Sequence, residues 1–258
     1  MFSGKVVLIT GASSGIGAAA AVRFAAEGAE VALTGRNKEN LQETAKKCRQ
    51  KSKFETLLIP GDLTVDSDVK NIIDSTIKTY GKLDVLVNNA AWMTFSALGG
   101  PDTVEKFDKI FNTNVRSVYL LTNLAVPHLI KSKGNIVNIS SVAGLRTFRN
   151  GSAYGMSKAA LDHFTRCAAL ELGPKKVRVN GINPGSVETN LRKNAGLDDK
   201  TMKHLSETAI KAYPIGRIGN VDDISSAILF LASEQAGFIT GESLVVDGGL
   251  NIVSPMQL

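Results

Sequence analysis

Short apolar runs alternate with longer helical patterns along the whole chain. The runs are Val6–Thr10, Glu30–Thr34, Thr56–Ile59, Val85–Val87, Asn135–Ile139, Val177–Ile182 and Ser243–Val246. Continuous runs such as VVLIT and NIVNI lack the in–out alternation of a half-exposed strand. They suit strands of a parallel sheet buried on both faces. Between them, Ile16–Glu27, Leu41–Arg49, Val69–Tyr80, Val104–Leu129, Ser152–Leu172 and Val221–Ala232 read as helices. The first is rich in alanine, the strongest helix former. Strict alternation of β and α elements predicts a doubly wound α/β sheet. One stretch breaks the rhythm: Thr189–Pro214 has helical pieces and no strand. An insertion near the carboxyl end of a strand lies where such sheets bind ligands, so residues 189–214 are expected to form a lid.

Length and composition narrow this further. The chain has 258 residues, 43% of them hydrophobic and 21% charged. That is ordinary globular usage, and it fits one α/β domain over residues 1–258. Two cysteines, Cys48 and Cys167, make neither a disulfide framework nor a metal cluster; Cys167 is expected in the core, as a small apolar residue of a helix. His128, His163 and His204 share no metal-ligand spacing. No signal peptide or membrane-spanning run is expected, and a cytoplasmic protein is the default. The net charge is +6, from 30 basic and 24 acidic residues. Its densest cluster, Lys46, Lys47, Arg49, Lys51 and Lys53, reads as a solvated helix face, so no nucleic-acid partner is expected.

The first strand runs into Thr10-Gly11-Ala12-Ser13-Ser14-Gly15-Ile16-Gly17, and a helix follows at once. Small residues let backbone amides approach a ligand, and the helix N-terminus adds partial positive charge; together they suit a pyrophosphate. The spacing is Gly-x-x-x-Gly-x-Gly, and no Gly-Lys-Ser/Thr follows, which excludes an NTPase phosphate loop. With this TGASSGIG loop, Asn88-Asn89-Ala90-Ala91, a Ser thirteen residues before Tyr154, Lys158 four residues after it, and Pro184-Gly185, the chain resembles the short-chain dehydrogenase/reductase family from residue 4 to about 250. The resemblance implies a Rossmann-type sheet of seven parallel strands, a nicotinamide dinucleotide as cofactor, and a carbonyl or alcohol as small-molecule substrate. Ala91 stands where the family usually has Gly.

Around the cofactor, the second strand ends in Gly35-Arg36 with no acid. A carboxylate there would hold a ribose 2′-hydroxyl, whereas a guanidinium pairs with a 2′-phosphate. NADP(H) is therefore expected, with Ser13, Ser14 and Asn37 adding hydrogen bonds. By resemblance, Asp62 and Leu63 meet the adenine. Asn89 and Ala90 follow the fourth strand. Pro184, Gly185, Val187 and Thr189 line the nicotinamide.

Tyr154 and Lys158, four apart on a helix, share one face. A free phenol with a pKa near ~10 is a poor acid–base group at neutral pH, but a nearby ammonium lowers that value. Such a tyrosine can protonate a carbonyl oxygen or deprotonate an alcohol. The resemblance makes Ser141 the group that hydrogen-bonds the substrate oxygen, with Ser140 as its rival. It also makes Asn114 the holder of a relay water behind Lys158, with Asn112 as the alternative, and has Lys158 bind the cofactor ribose. Trp92, Phe95, Met202, His204, Leu205 and Tyr213 are candidates for the substrate pocket. The expectation is hydride transfer between NADP(H) and a carbonyl or secondary alcohol. The competing reading is a non-catalytic NADP(H)-binding regulatory or scaffold protein, which four filled catalytic positions argue against. The resemblance further implies a homotetramer, with one interface on the helices of Val104–Leu129 and Ser152–Leu172 and another on Phe238–Leu250.

Overall fold

A computed structural model describes residues 1–189, 191, 210 and 212–253. Seven parallel strands form one sheet in the order β3-β2-β1-β4-β5-β6-β7. They are β1 Val6–Thr10, β2 Glu30–Gly35, β3 Leu57–Pro60, β4 Val85–Asn88, β5 Asn135–Ile139, β6 Arg178–Pro184 and β7 Ser243–Val246. Helices α1 Gly15–Ala26, α2 Lys38–Arg49, α3 Asp66–Tyr80, α4 Thr103–Phe111, α5 Ser117–Ser132, α6 Ser152–Leu172 and α7 Val221–Ala232 flank it. This is the expected single-domain Rossmann-type architecture.

The central strands show why an unbroken apolar run was required. Val7 and Ile9 of β1 face one hydrophobic cluster with Phe24 of α1 and Ile228 of α7. Val6 and Leu8 face the other, with Ile72 of α3 and Leu129 of α5. Successive side chains point to opposite faces, so both parities must be apolar when both faces are covered. Each such buried Val, Leu or Ile contributes about 1.5–3 kcal/mol.

The expected long helix over Val104–Leu129 is instead two helices, α4 and α5, joined by a π-helical turn at Asn112–Arg116. Such turns are rare and gather at functional sites. Cys167 is exposed rather than in the core. The buried stripe of α6 runs through Tyr154, Lys158, Leu161, Thr165, Ala168 and Leu172, and position 167 falls off it. Most of the expected lid, including Met202, His204 and Leu205, lies outside the described residues. Among the described residues no helix is long and apolar enough to cross a membrane.

The order of strands reverses between β1 and β4, since β1 pairs with both β2 and β4. Loops leaving the carboxyl ends of those two strands therefore part, and ligands of open α/β sheets bind at such a point.

Candidate active site

A cleft of about 1580 Å³ opens at that switch point. One end carries Arg36, Asp62 and Leu63; the glycine loop forms the floor through Gly11, Ser13, Ser14, Gly15 and Ile16. Asn89 and Ala90 continue the wall, and the far end holds Ser141, Tyr154 and Lys158, with Pro184, Gly185, Val187 and Thr189 opposite. Of the expected site residues, Gly17, Asn37 and Asn114 are not on the cleft surface.

The glycine loop is as close-packed as its sequence implied. Gly11 has φ +64°, and a Cβ there would come within 2.9 Å of the Ala90 Cα. Gly17 sits beneath the loop: a Cβ would lie 2.5 Å from Asn89 Nδ2 and 2.6 Å from the Gly11 carbonyl oxygen. Asn89 is a brace as well as a wall. Its side-chain amide donates to the Thr10 carbonyl at 2.8 Å and the Gly11 carbonyl at 3.3 Å. Thr10, which sequence reasoning passed over, completes the joint: its hydroxyl oxygen accepts from the Asn89 and Ala90 amides at 2.9 and 3.0 Å. Ala91 is not among the residues with positive φ, so its Cβ causes no backbone strain.

At the adenine end, Asp62 Oδ1 accepts from the Thr64 amide at 2.9 Å and its hydroxyl at 2.8 Å. Burial tends to raise the Asp62 pKa, but the Thr64 bonds and the cations Arg36 and Lys109 outweigh it and hold the carboxyl below its ordinary value. Arg36 is 70% exposed and lies 3.9 Å from Asp62 Oδ2. Gly35 packs against Ser13, whose Oγ would lie 3.3 Å from a Cβ at that position. Asn37 is the N-cap of α2, and its side-chain Oδ1 accepts from the Asn40 amide at 2.7 Å.

The catalytic candidates converge on α6. Tyr154 is 6% exposed and Lys158 2%. The Lys158 ammonium stands 5.6 Å from the Tyr154 ring centroid and donates to the Ile139 carbonyl at 2.8 Å. Burial drives the Lys158 pKa down to about 8, against the pull of the Asp162 carboxylate. The two serines separate cleanly. Ser140 is buried and its hydroxyl donates to the Lys158 carbonyl at 3.2 Å. Ser141 is half-buried, and its Oγ accepts from the Ala143 amide at 3.1 Å. That contact leaves the Ser141 hydroxyl proton available to a ligand.

Asn114 sits in the π-helical turn. Its Oδ1 accepts from the Trp92 amide at 2.8 Å, and its Nδ2 donates to the Trp92 carbonyl at 3.0 Å and to Ser157 Oγ at 3.1 Å. It therefore ties the loop after β4 to α6. Trp92 and Phe95 do line the cleft, joined there by Met93, Phe148 and Leu191. Tyr213 is not on the cleft surface; it is buried, and its hydroxyl oxygen accepts from the Ser186 amide at 2.6 Å, bracing the Pro184–Gly185 turn.

The shape and chemistry of the cleft fit a dinucleotide. A glycine cradle at a helix N-terminus lies between a carboxylate–guanidinium end and a tyrosine–lysine end. Residues 11–251 match a family model described as enoyl-(acyl carrier protein) reductase. The chain is 37% identical over 251 residues to 3-oxoacyl-(acyl-carrier-protein) reductase of Thermotoga maritima, a match covering 96% of this chain and 98% of that protein. It is 35% identical over 251 residues to L-fucose dehydrogenase of Mus musculus, covering 97% and 90%. A crystal structure of a short-chain dehydrogenase/reductase of unknown function from Caenorhabditis elegans, solved with cofactor, superposes with a TM-score of 0.93 at 39% identity, covering 99% of this chain and 98% of that one.

Proposed function

The chain belongs to the short-chain dehydrogenase/reductase family, and from that premise we propose that it is an NADP(H)-dependent oxidoreductase interconverting a carbonyl and a secondary alcohol, with Tyr154 as general acid and base. The observation that carries this reading is the buried Tyr154–Lys158 pair opening into the same cleft as Arg36. Gly11, Ser13, Ser14, Gly15 and Ile16 would hold the pyrophosphate, Arg36 the 2′-phosphate, and Asp62 and Leu63 the adenine. Pro184, Gly185, Val187 and Thr189 would flank the nicotinamide, with Lys158 reaching the ribose. When bound, the nicotinamide supplies the hydride chemistry that no side chain can.

The protein's own residues manage the proton. Tyr154 Oη protonates the substrate oxygen in reduction and accepts the proton in oxidation. The Lys158 ammonium favours the phenolate that reduction leaves behind. Ser141 Oγ donates to the substrate oxygen and orients it. Asn114 fixes the Trp92 loop against α6, and the relay of protons from Lys158 to solvent runs past it. The aromatic wall of Trp92, Phe95 and Phe148 gives the carbonyl compound a largely apolar seat. The cytoplasmic location and homotetramer implied by resemblance are parts of the same reading. For the assembly, Tyr119 on α5, Met156 and Leu170 on α6, and Phe238 are the exposed apolar positions it would cover; light scattering tests it.

The deciding experiment is NADPH consumption over a panel of acyl thioesters, steroid ketones, diketones, quinones and sugars, with Tyr154→Phe as blank. Turnover on one class that the variant lacks is expected. Stoichiometric NADPH binding with silence across the panel would overturn the reading.

A further inference from the structure

Asp162 is an expensive residue to keep where it is. It lies one helical turn beyond Lys158 on the buried stripe of α6 and is 3% exposed. Its Oδ2 accepts from Asn183 Nδ2 at 3.0 Å, while its Oδ1 is buried without a hydrogen bond. An under-satisfied buried carboxyl costs more than an apolar side chain of similar volume. The fold also shapes itself around it: a Cβ on Gly144 would come within 2.7 Å of Asp162 Oδ2.

The contacts of this carboxyl lead to both sides of the reaction site. Asn183 Nδ2 donates its other proton to the Ser141 carbonyl at 3.0 Å, so Asp162, Asn183 and the backbone of Ser141 form one chain of bonds from α6 through β6 to the serine turn. Ser140, next to Ser141, donates its hydroxyl to the Lys158 carbonyl at 3.2 Å and so ties the same turn to α6. We infer that Asp162 is a positioning residue of the site, holding the Ser141 turn in register with Tyr154 and serving as the buried counter-charge of the Lys158 ammonium. The inference rests on the proposed reading of the cleft as a carbonyl–alcohol site.

The electrostatics run in the same direction. Burial raises the Asp162 pKa, opposed by Ser140, Asn183, Lys158 and Arg166. Lys158 and Arg166 are thus the cations acting on it, both from α6; the segments packed against it contribute the neutral Asn183 of β6 and Ser140, the residue after β5. Conversely, Asp162 is the carboxylate that opposes the loss of the Lys158 proton. Removing its charge leaves burial unopposed, so Lys158 gives up its proton at a lower pH.

The test is Asp162→Asn, which keeps the volume and an acceptor oxygen and removes the charge. Protein carrying 13C-labelled lysine reports the Lys158 titration directly by NMR, assigned through the signal missing from Lys158→Arg. The midpoint is expected to fall by about 0.5–1 unit. With saturating NADPH and the ketone found by the panel, the alkaline limb of kcat should shift to lower pH in Asp162→Asn, with KM and NADPH affinity within about twofold of wild type, a difference under ~0.5 kcal/mol. Asp162→Leu, which also removes the acceptor for Asn183, should lower kcat about 10–100-fold through misplacement of the reacting groups. Asn183→Ala, which removes the hydrogen bond to Asp162 Oδ2, should move the titration the same way by a smaller step, and decides the matter if Asp162→Asn does not fold. An unmoved Lys158 midpoint in a folded variant, with a wild-type pH profile, overturns the inference. A shifted midpoint in a protein that turns over nothing overturns the functional reading and leaves the counter-charge role standing.

Discussion

Arg36 is the residue on which cofactor choice turns, and Arg36→Ala isolates it. Its guanidinium is 70% exposed and 3.9 Å from Asp62 Oδ2. An exposed ion pair of that kind holds the side chain by only about 0–1 kcal/mol, so the arm can turn to a 2′-phosphate at little cost. Charge-assisted hydrogen bonds contribute about 1.5–3 kcal/mol, and the exposure of Arg36 sets the lower half of that range. Losing about 1.5–2 kcal/mol corresponds to roughly 10–30-fold in NADPH dissociation constant. NADH lacks the phosphate, so its affinity should hold or improve slightly. Nucleotide fluorescence on binding reads both constants in wild type and variant. Repeating the titration at about 0.05 and 0.5 M salt adds a check, because screening weakens exposed charge pairs and should narrow the wild-type preference. An unchanged NADPH-to-NADH ratio in the variant would refute the assignment of Arg36 as the 2′-phosphate ligand.

Gly17→Ala would push a methyl to 2.5 Å from Asn89 Nδ2; overpacking of this kind costs about 1–3 kcal/mol. Thermal denaturation should show a Tm lower by about 2–12 °C, and dinucleotide binding should weaken with it, whereas a wild-type melt would mean the loop tolerates the methyl. Lys158 releases its proton at about 8 in the fold against 10.5 ordinarily, so the unfolded chain binds more protons between those values and stability rises with pH across that window. Wild-type stability should therefore rise from pH ~8 to ~10.5, and Lys158→Met should lack that rise while losing turnover; a rise of the same size in the variant would refute the argument. At the start of α7, Asn220 and Asp223 form a capping box, and Arg217 followed by the Asn220 amide holds the Asp223 pKa down to about 2. Asn220→Ala should cost about 1 kcal/mol in chemical denaturation. The Asp223 contribution should be present above its ordinary 3.8 and lost as pH falls toward about 2.

Much of this was legible in the chain because it is local. Strands buried on both faces must be apolar at both parities, so β1 and β5 could be bounded to the residue. Tyr154 and Lys158 are linked by helical spacing alone, and Arg36 by its place after β2. What escaped was set by contacts distant in sequence. Nothing local in Phe111–Val115 announces a π-helical turn; the contact that anchors its Asn114 reaches Trp92, 22 residues away. Asn89 was read as a wall of the cofactor site, yet its amide also holds the glycine loop 79 residues earlier. Cys167 was misplaced by phase: it lies between the exposed Arg166 and Ala168 of the buried stripe, one residue off that stripe. Tyr213 looked like a pocket residue because it is aromatic and near the lid. Its partner, the Ser186 amide, becomes visible only when β6 and the segment before α7 are brought together.

The same long-range contacts explain why the carboxyl edge of the sheet is polar where a core should be oily. Asn88 Nδ2 donates to Asn138 Oδ1 at 2.8 Å, and Asn138 Nδ2 to Thr165 Oγ1 at 2.9 Å, so β4, β5 and α6 are laced together across the sheet. Asn183 and Asp162 repeat the device one strand further on, between β6 and α6. Apolar residues at these positions would bury just as much surface, but apolar packing is non-directional. Directional hydrogen bonds of this kind are made in only one alignment, and they fix the register of α6 against the strand ends that lead to Ser141 and carry Asn183. Tyr154 and Lys158 ride on that helix. A proton donor must meet its acceptor at about 2.6–3.2 Å, and groups held by locked neighbours keep such a distance where groups on a slippery face would not. The polar stripe is therefore the part of the core through which the sheet sets the geometry of the site.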